Sequence, residues 1–141
     1  MLTELGFTVM RVPGSGDGLR GTACVTPQMH VPGTSHLRTS ILAAWADMLA
    51  GLLASLAMEP RVPVTLELDV HLYRPAPASG TIRGTGRTVK AGRSVFVADV
   101  EFTGEEGGPL AIGAGSFSSA GGNQARVPEL SAAEHGKWTC G

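Results

Sequence analysis

Charge of either sign is scarce in this sequence. Its 141 residues carry 11 basic against 12 acidic side chains, a formal charge of −1. A chain so balanced has no electrostatic footprint for a nucleic acid or an anionic membrane, which excludes polyanion binding as its main business. Cysteine is nearly absent too. Cys24 and Cys140 make no CxxC pair and no disulfide framework, and the opening MLTELGFTVMRV lacks the basic and apolar run of a signal peptide, so a reducing cytoplasm is the expected setting. The four histidines, His30, His36, His71 and His135, fall at no recognisable zinc spacing, HExxH included. No metal or cofactor is called for. The length suits one domain burying roughly two-thirds of its unfolded surface, enough for a real core.

What is there begins at residues 41–58, ILAAWADMLAGLLASLAM, where Asp47 is the one charged side chain. As a helix this stretch reaches about 27 Å, nominally enough for a bilayer. The mid-segment carboxylate, the diluting alanines and the sheet-like sequence that follows all argue instead for a helix wrapped by protein. Ile41, Trp45, Met48, Leu49, Leu52, Leu53 and Leu56 form a bulky face, expected in the core. Ser40, Ala43, Ala44, Asp47, Ala50, Gly51 and Ala54 form a small-residue stripe that would admit another backbone closely. An ionised carboxylate in apolar surroundings costs several kcal/mol unless it is paired or hydrogen-bonded, so Asp47 needs a reason. On the residues alone it is either an acceptor for a neighbouring loop or a working group.

After the helix, strict alternation in VPVTLELDVHLYRPAP predicts a long strand. Val62, Val64, Leu66, Leu68, Val70 and Leu72 share a dry face, with Thr65, Glu67, Asp69, His71 and Tyr73 opposite. TIRGTGRTVKAG follows with Ile82, Gly84, Gly86 and Thr88 on one face, then RSVFVADVEFTG with Phe96, Ala98, Val100 and Phe102, then LAIGAGSFSS. Short turns predict an antiparallel meander through these four strands. FTVMRV and LRGTACVT, separated by the PGSGDG loop, add one or two strands before the helix, and the first twelve residues suit a sheet edge. The class is α+β, a curved sheet around one long helix. Residues 120–141 are glycine-rich and polar without period, which reads as a tail, with Trp138 favouring docking on a neighbour.

ADMLAG in the helix, VTLELDVHLYRPAP, GRTVKAGRSVFVADVEF and a last strand ending GAGSF occur in an order and spacing that resembles the hotdog-fold thioesterases, in particular those similar to 4-hydroxybenzoyl-CoA and phenylacetyl-CoA thioesterases. The likeness runs from about Leu19 to Ser119 within a domain spanning 1–119. It implies a central helix wrapped by a five- or six-stranded antiparallel sheet, a homodimer or homotetramer with active sites at the subunit seam, and an acyl-CoA substrate. The family's helix acid sits in a pattern like L-A-D-x-x-x-G, and Trp45 to Gly51 carries it with Trp for Leu, making Asp47 the candidate catalytic residue, as general base or as nucleophile. A partly apolar seam is expected to raise its pKa.

Relatives often place H-G-G before the helix to polarise the thioester carbonyl through a backbone N–H. Here Arg38-Thr39-Ser40 stands instead, so a backbone N–H of Thr39 or Ser40 takes the oxyanion role and either hydroxyl suits an N-cap. An alternative alignment sets Gly33-Thr34-Ser35-His36 on that loop and Trp45 at the acid position. Asp47 and Gly51 keep the helix spacing, which favours the first alignment and leaves His36 either a loop residue or a substrate contact. Arg87, Lys90 and Arg93 around the Ala91-Gly92 turn are candidates for coenzyme A phosphates, and Gly51 and Thr65 for the seam. Two rival functions stay open: a hotdog hydratase, disfavoured by the lack of a helix histidine, and a non-catalytic acyl-binding or scaffold dimer, which the missing H-G-G favours.

Overall fold

The computed structural model describes residues 2–4, 6–11, 18–77 and 79–123. In chain order these form β1 (Leu2–Glu4), β2 (Phe7–Arg11), β3 (Gly18–Cys24), a 3-10 turn (Pro27–Met29), α1 (Thr39–Met58), β4 (Arg61–Leu72), β5 (Thr81–Ala91), β6 (Val95–Thr103) and β7 (Pro109–Asn123). All strands join one antiparallel sheet in the order β1-β2-β3-β5-β6-β7-β4, with α1 packed along its inner face. This is the α+β hotdog arrangement the sequence implies. Seven strands are present because β1 folds back on β2 to form one edge. β7 continues to Asn123, past the expected domain end; the tail from residue 124 and most of the PGSGDG loop lie outside the described residues.

The small residues of β5 and β7 explain how closely the helix sits. A Cβ added at Gly84 would lie 2.9 Å from Leu49 and 2.9 Å from Phe102, and one at Gly115 would lie 3.2 Å from the Ala50 Cβ. Real side chains there would push the helix off the sheet. Trp45 fills the space toward β2, its ring stacked on Phe7 at 5.3 Å, and Phe7 in turn meets Phe102 edge-on at 6.4 Å. Leu42, Leu49, Leu53, Ala46, Ala50 and Ala54 are buried beneath the strands. The helix is long and apolar enough to cross a membrane by length and composition alone, yet it is the centrepiece of this core.

Four expectations need correction. The meander is incomplete: β4 pairs with β7, and β5 lies between β3 and β6. The connection from Tyr73 to Gly80 is no tight turn. It carries Pro75 and Pro77 past the end of the sheet, held to the loop before the helix by Leu37 N–H to Ala76 O, 3.1 Å, and by a His36–Pro77 bridge. The small-residue stripe also divides, since Ala50 and Ala54 lie under the sheet, whereas Ile41, Ala44, Met48, Gly51, Leu52 and Ser55 are only partly covered. Cys24 is disulfide-bonded, where the sequence reading expected no disulfide framework.

The fourth correction concerns β4. Its ladder to β7 pairs Thr65 with Phe117 and Glu67 with Ser116, so Leu66 is an extra residue, a bulge. The face assignment reverses across it. Leu68, Val70 and Leu72 pack on the core as the alternation predicts, but before the bulge Pro63 and Thr65 face the helix while Val64 and Leu66 are 42% and 59% exposed.

Candidate active site

Asp47 lies at the midpoint of α1, on the flank that passes beneath edge strand β4. Because the Leu66 bulge turns Thr65 inward, the two meet: Thr65 Oγ1 donates to Asp47 Oδ1 at 3.0 Å. Around this pair is a cleft of about 270 Å³ whose other walls are Met48, Gly51, Leu52, Ser55, Pro63 and Phe117. The carboxylate is exposed, and apolar Met48, Leu52, Pro63 and Phe117 share the lining with polar Thr65 and Ser55. Among the described residues it is the only ionisable side chain lining this cleft. Gly51 keeps the floor open, since a Cβ there would come no nearer than 3.8 Å to the Phe117 ring.

Such a site can hold an acyl chain against Met48, Leu52 and Phe117 and present one carboxylate to a polar atom at its end. Among the described residues no second acid and no histidine lines it. Among the described residues there is no group of three or more His, Cys, Asp or Glu side chains able to hold a metal ion.

The remaining sequence candidates fall in three places. Thr39 and Ser40 are the first two residues of α1, both exposed. Arg38, not either hydroxyl, occupies the N-cap position and makes no side-chain cap. It is pinned instead: its backbone N–H donates to Met29 O at 2.8 Å and its Nε to His30 O at 2.8 Å. The hydroxyl N-cap expectation failed because side-chain anchoring of Arg38 in the preceding loop fixes where the helix starts. The first N–H groups of a helix have no intrahelical acceptor, so those of Thr39 and Ser40 point outward along the axis. His36 sits in the exposed turn before them, its N–H bonded to Thr34 Oγ1 at 3.2 Å. Asp47 is eight residues further on, about 12 Å along the axis from Thr39.

Lys90 and Arg93 are exposed at the β5–β6 hairpin, near the start of β4, where Arg61 donates to Arg93 O at 2.8 Å. Arg61, which the sequence reading passed over, thereby joins Arg93 at the end of the sheet nearest Pro63. Arg87 lies elsewhere. It faces outward, 3.7 Å from Asp99, beside a second and larger cleft of about 410 Å³ on the opposite face of the sheet, which Asp69, His71, Glu101 and Ile112 also line. Of the cleft residues, Met48 and Leu52 were expected in the core and are only partly buried, and Ser55, Pro63 and Phe117 were not singled out from sequence. The i, i+4 spacing of Met48 and Leu52 with Asp47 adjacent was the available signal; Pro63 and Phe117 join only through the fold.

Comparison with known proteins agrees with this architecture. Residues 36–111 match the family model of the thioesterase superfamily. The fold is similar to that of the PaaI protein of Escherichia coli, from the phenylacetic acid degradation operon, with a TM-score of 0.72 and 20% identity over 84% of this chain and 83% of that one. A phenylacetic acid degradation-related protein of Ralstonia eutropha gives a TM-score of 0.72 at 23% identity, covering 81% and 85% of the two chains. A thioesterase of Haemophilus influenzae gives 0.70 at 20% identity, covering 79% and 77%. No curated protein matches the sequence significantly. With more than half its length matched by the family model, and with the helix and sheet arranged as described, the chain belongs to the thioesterase superfamily and has the hotdog fold.

Proposed function

We propose that this protein hydrolyses acyl-CoA thioesters to the free acid and coenzyme A, with Asp47 as the catalytic residue. The observation that carries the reading is the single carboxylate of an otherwise apolar helix, open to a cleft whose walls suit an acyl group. As a general base, Asp47 takes a proton from a water whose oxygen attacks the thioester carbonyl carbon; the oxyanion collapses, the C–S bond breaks and the leaving thiolate is protonated. As a nucleophile, it attacks the carbonyl itself, releases the thiol and leaves a mixed anhydride that water then opens. The geometry is compatible with both.

The oxyanion donor in this reading is a backbone N–H of Thr39 or Ser40. A carbonyl oxygen is stabilised by donors about 3 Å away, and about 12 Å of helix separates Thr39 from Asp47 in one chain. The two groups can serve one thioester only if they come from two copies, so the reading includes a homodimer or homotetramer with its sites at the seam. The partly covered strip of Ile41, Ala44, Met48 and Leu52 supports such a partner. In this reading Arg93 and Lys90, with Arg61 beside them, would contact the nucleotide phosphates.

The test is a hydrolysis screen over short, medium, long and aromatic acyl-CoAs, with free thiol detected, on the wild type and Asp47→Asn. Turnover by the first and its loss in the second is the expected result. Acyl-CoA binding with no turnover of any member by the wild type would select a binding module. Light scattering that finds a stable monomer at micromolar protein would remove the two-copy site.

A further inference from the structure

The strongest residual feature is the disagreement between the β4 sequence and its structure. Alternation in VPVTLELDV directs Leu66 to the core and Thr65 to solvent, the arrangement that would bury more apolar surface. The chain does the reverse. One extra residue at Leu66 leaves a leucine 59% exposed on an edge strand and turns a threonine hydroxyl inward. Bulges re-aim side chains beside functional sites, and this one aims Thr65 at Asp47, 3.0 Å away.

We propose that Thr65 is a positioning residue for Asp47, and that the Leu66 bulge is the device that delivers it. The inference rests on the reading of Asp47 as catalytic. Asp47 is on an exposed helix flank, where its χ1 and χ2 are free unless something holds them. The Thr65 hydroxyl, fixed on a β-branched side chain with few rotamers, takes one lone pair of Oδ1. That sets the carboxylate plane and leaves Oδ2 to face the cleft, where water or a thioester carbonyl carbon would sit.

The experiment measures kcat and KM on the best substrate of the screen, for the wild type, Thr65→Val, Thr65→Ser and Asp47→Asn, with a thermal midpoint for each. Thr65→Val is expected to lower kcat roughly tenfold with KM within about twofold. Thr65→Ser, which restores the hydroxyl, should recover most of the loss. Thr65 is exposed on an edge strand, so these variants should fold; if Val does not, Thr65→Ala takes its place. A Val or Ala variant with wild-type kcat, an effect on KM alone, or a Ser variant as impaired as Val would each overturn the positioning role. Those outcomes leave the reading of Asp47 standing provided Asp47→Asn is inactive. An active Asp47→Asn would overturn both.

Discussion

Two clefts among the described residues lie on opposite faces of one sheet and invite opposite conclusions from size and from chemistry. The outer one is larger, about 410 Å³, and has Asp69, Asp99, Glu101, His71 and Arg87 around it. The inner one is about 270 Å³ and holds a single carboxylate. In the outer cleft Asp99 faces Arg87 at 3.7 Å, with the two side chains 43% and 78% exposed. Pairs of that kind are screened and interact weakly. In the inner cleft Asp47 has one neutral donor, Thr65, and walls of Met48, Leu52 and Phe117, so nothing among the described residues competes with a reacting group for its charge. A lone charge beside apolar walls is a better pointer to chemistry than several charges that satisfy one another.

The sharpest way to break the contrast is Asp47→Asn. The change keeps the side-chain shape and removes basicity and nucleophilicity, so turnover should fall by roughly 100-fold or more while acyl-CoA binding survives. The thermal midpoint should move little, because the side chain is exposed and an amide oxygen can still accept from Thr65. An Asn variant that is destabilised by about 1 to 3 kcal/mol yet fully active would make Asp47 a structural acceptor instead. Rate and midpoint measured on one preparation decide between these.

Two glycines then separate the packed side of the helix from the open side. Gly84→Ala places a methyl 2.9 Å from both Leu49 and Phe102, in a buried region with nowhere to relax, and should cost about 1 to 3 kcal/mol in a denaturant titration. Gly51→Ala meets only the Phe117 ring at 3.8 Å, an ordinary contact. Alanine there removes the helix penalty of glycine and should stabilise by about 0.5 to 1 kcal/mol, while the narrower floor raises KM for bulky acyl groups. Equal losses of stability at the two positions would mean that the Gly51 side is as tightly packed as the sheet side.

How far this site was legible in the sequence follows from the same contrast. The inner faces of β5 and β6 were readable because Gly84, Gly86, Phe96 and Phe102 keep strict period two, and the helix because its apolar run has no competing pattern. Asp47 stood out as its only charge. β4 was misread at Leu66, since a bulge inserts a residue without changing composition, and the hydrophobic pattern VTLEL looks the same with or without it. The pairing of β4 with β7 was hidden for a related reason: local turn signals describe the residues beside a connection, not the distance it travels. Thr65 was therefore placed on the wrong face, and its contact with Asp47, a matter of three-dimensional register, had no sequence signature.

The smallest expected effect sharpens the comparison from the other side. Replacing Asp69, Asp99 and Glu101 together by Asn, Asn and Gln removes every carboxylate of the outer cleft while keeping side-chain volume. Arg87 loses its 3.7 Å partner, but at 78% exposure its guanidinium stays hydrated, so that loss should cost no more than about 0.5 kcal/mol. The formal charge moves from −1 to +2, since three negative groups become neutral. Rows of β4 and β6 keep their ladder bonds, because all three side chains point away from the helix and no backbone donor is involved. Hydrolysis of each acyl-CoA should stay within about twofold of wild type, apart from a modest gain in apparent affinity for the anionic substrate at low salt that fades as salt is raised. The salt series matters because it distinguishes long-range attraction from contact: a change in rate that persists at high salt could not come from screened surface charge. A large and salt-insensitive loss of turnover in this triple variant, in protein with an unchanged midpoint, would move the chemistry to the outer face and leave the Asp47 cleft as packing.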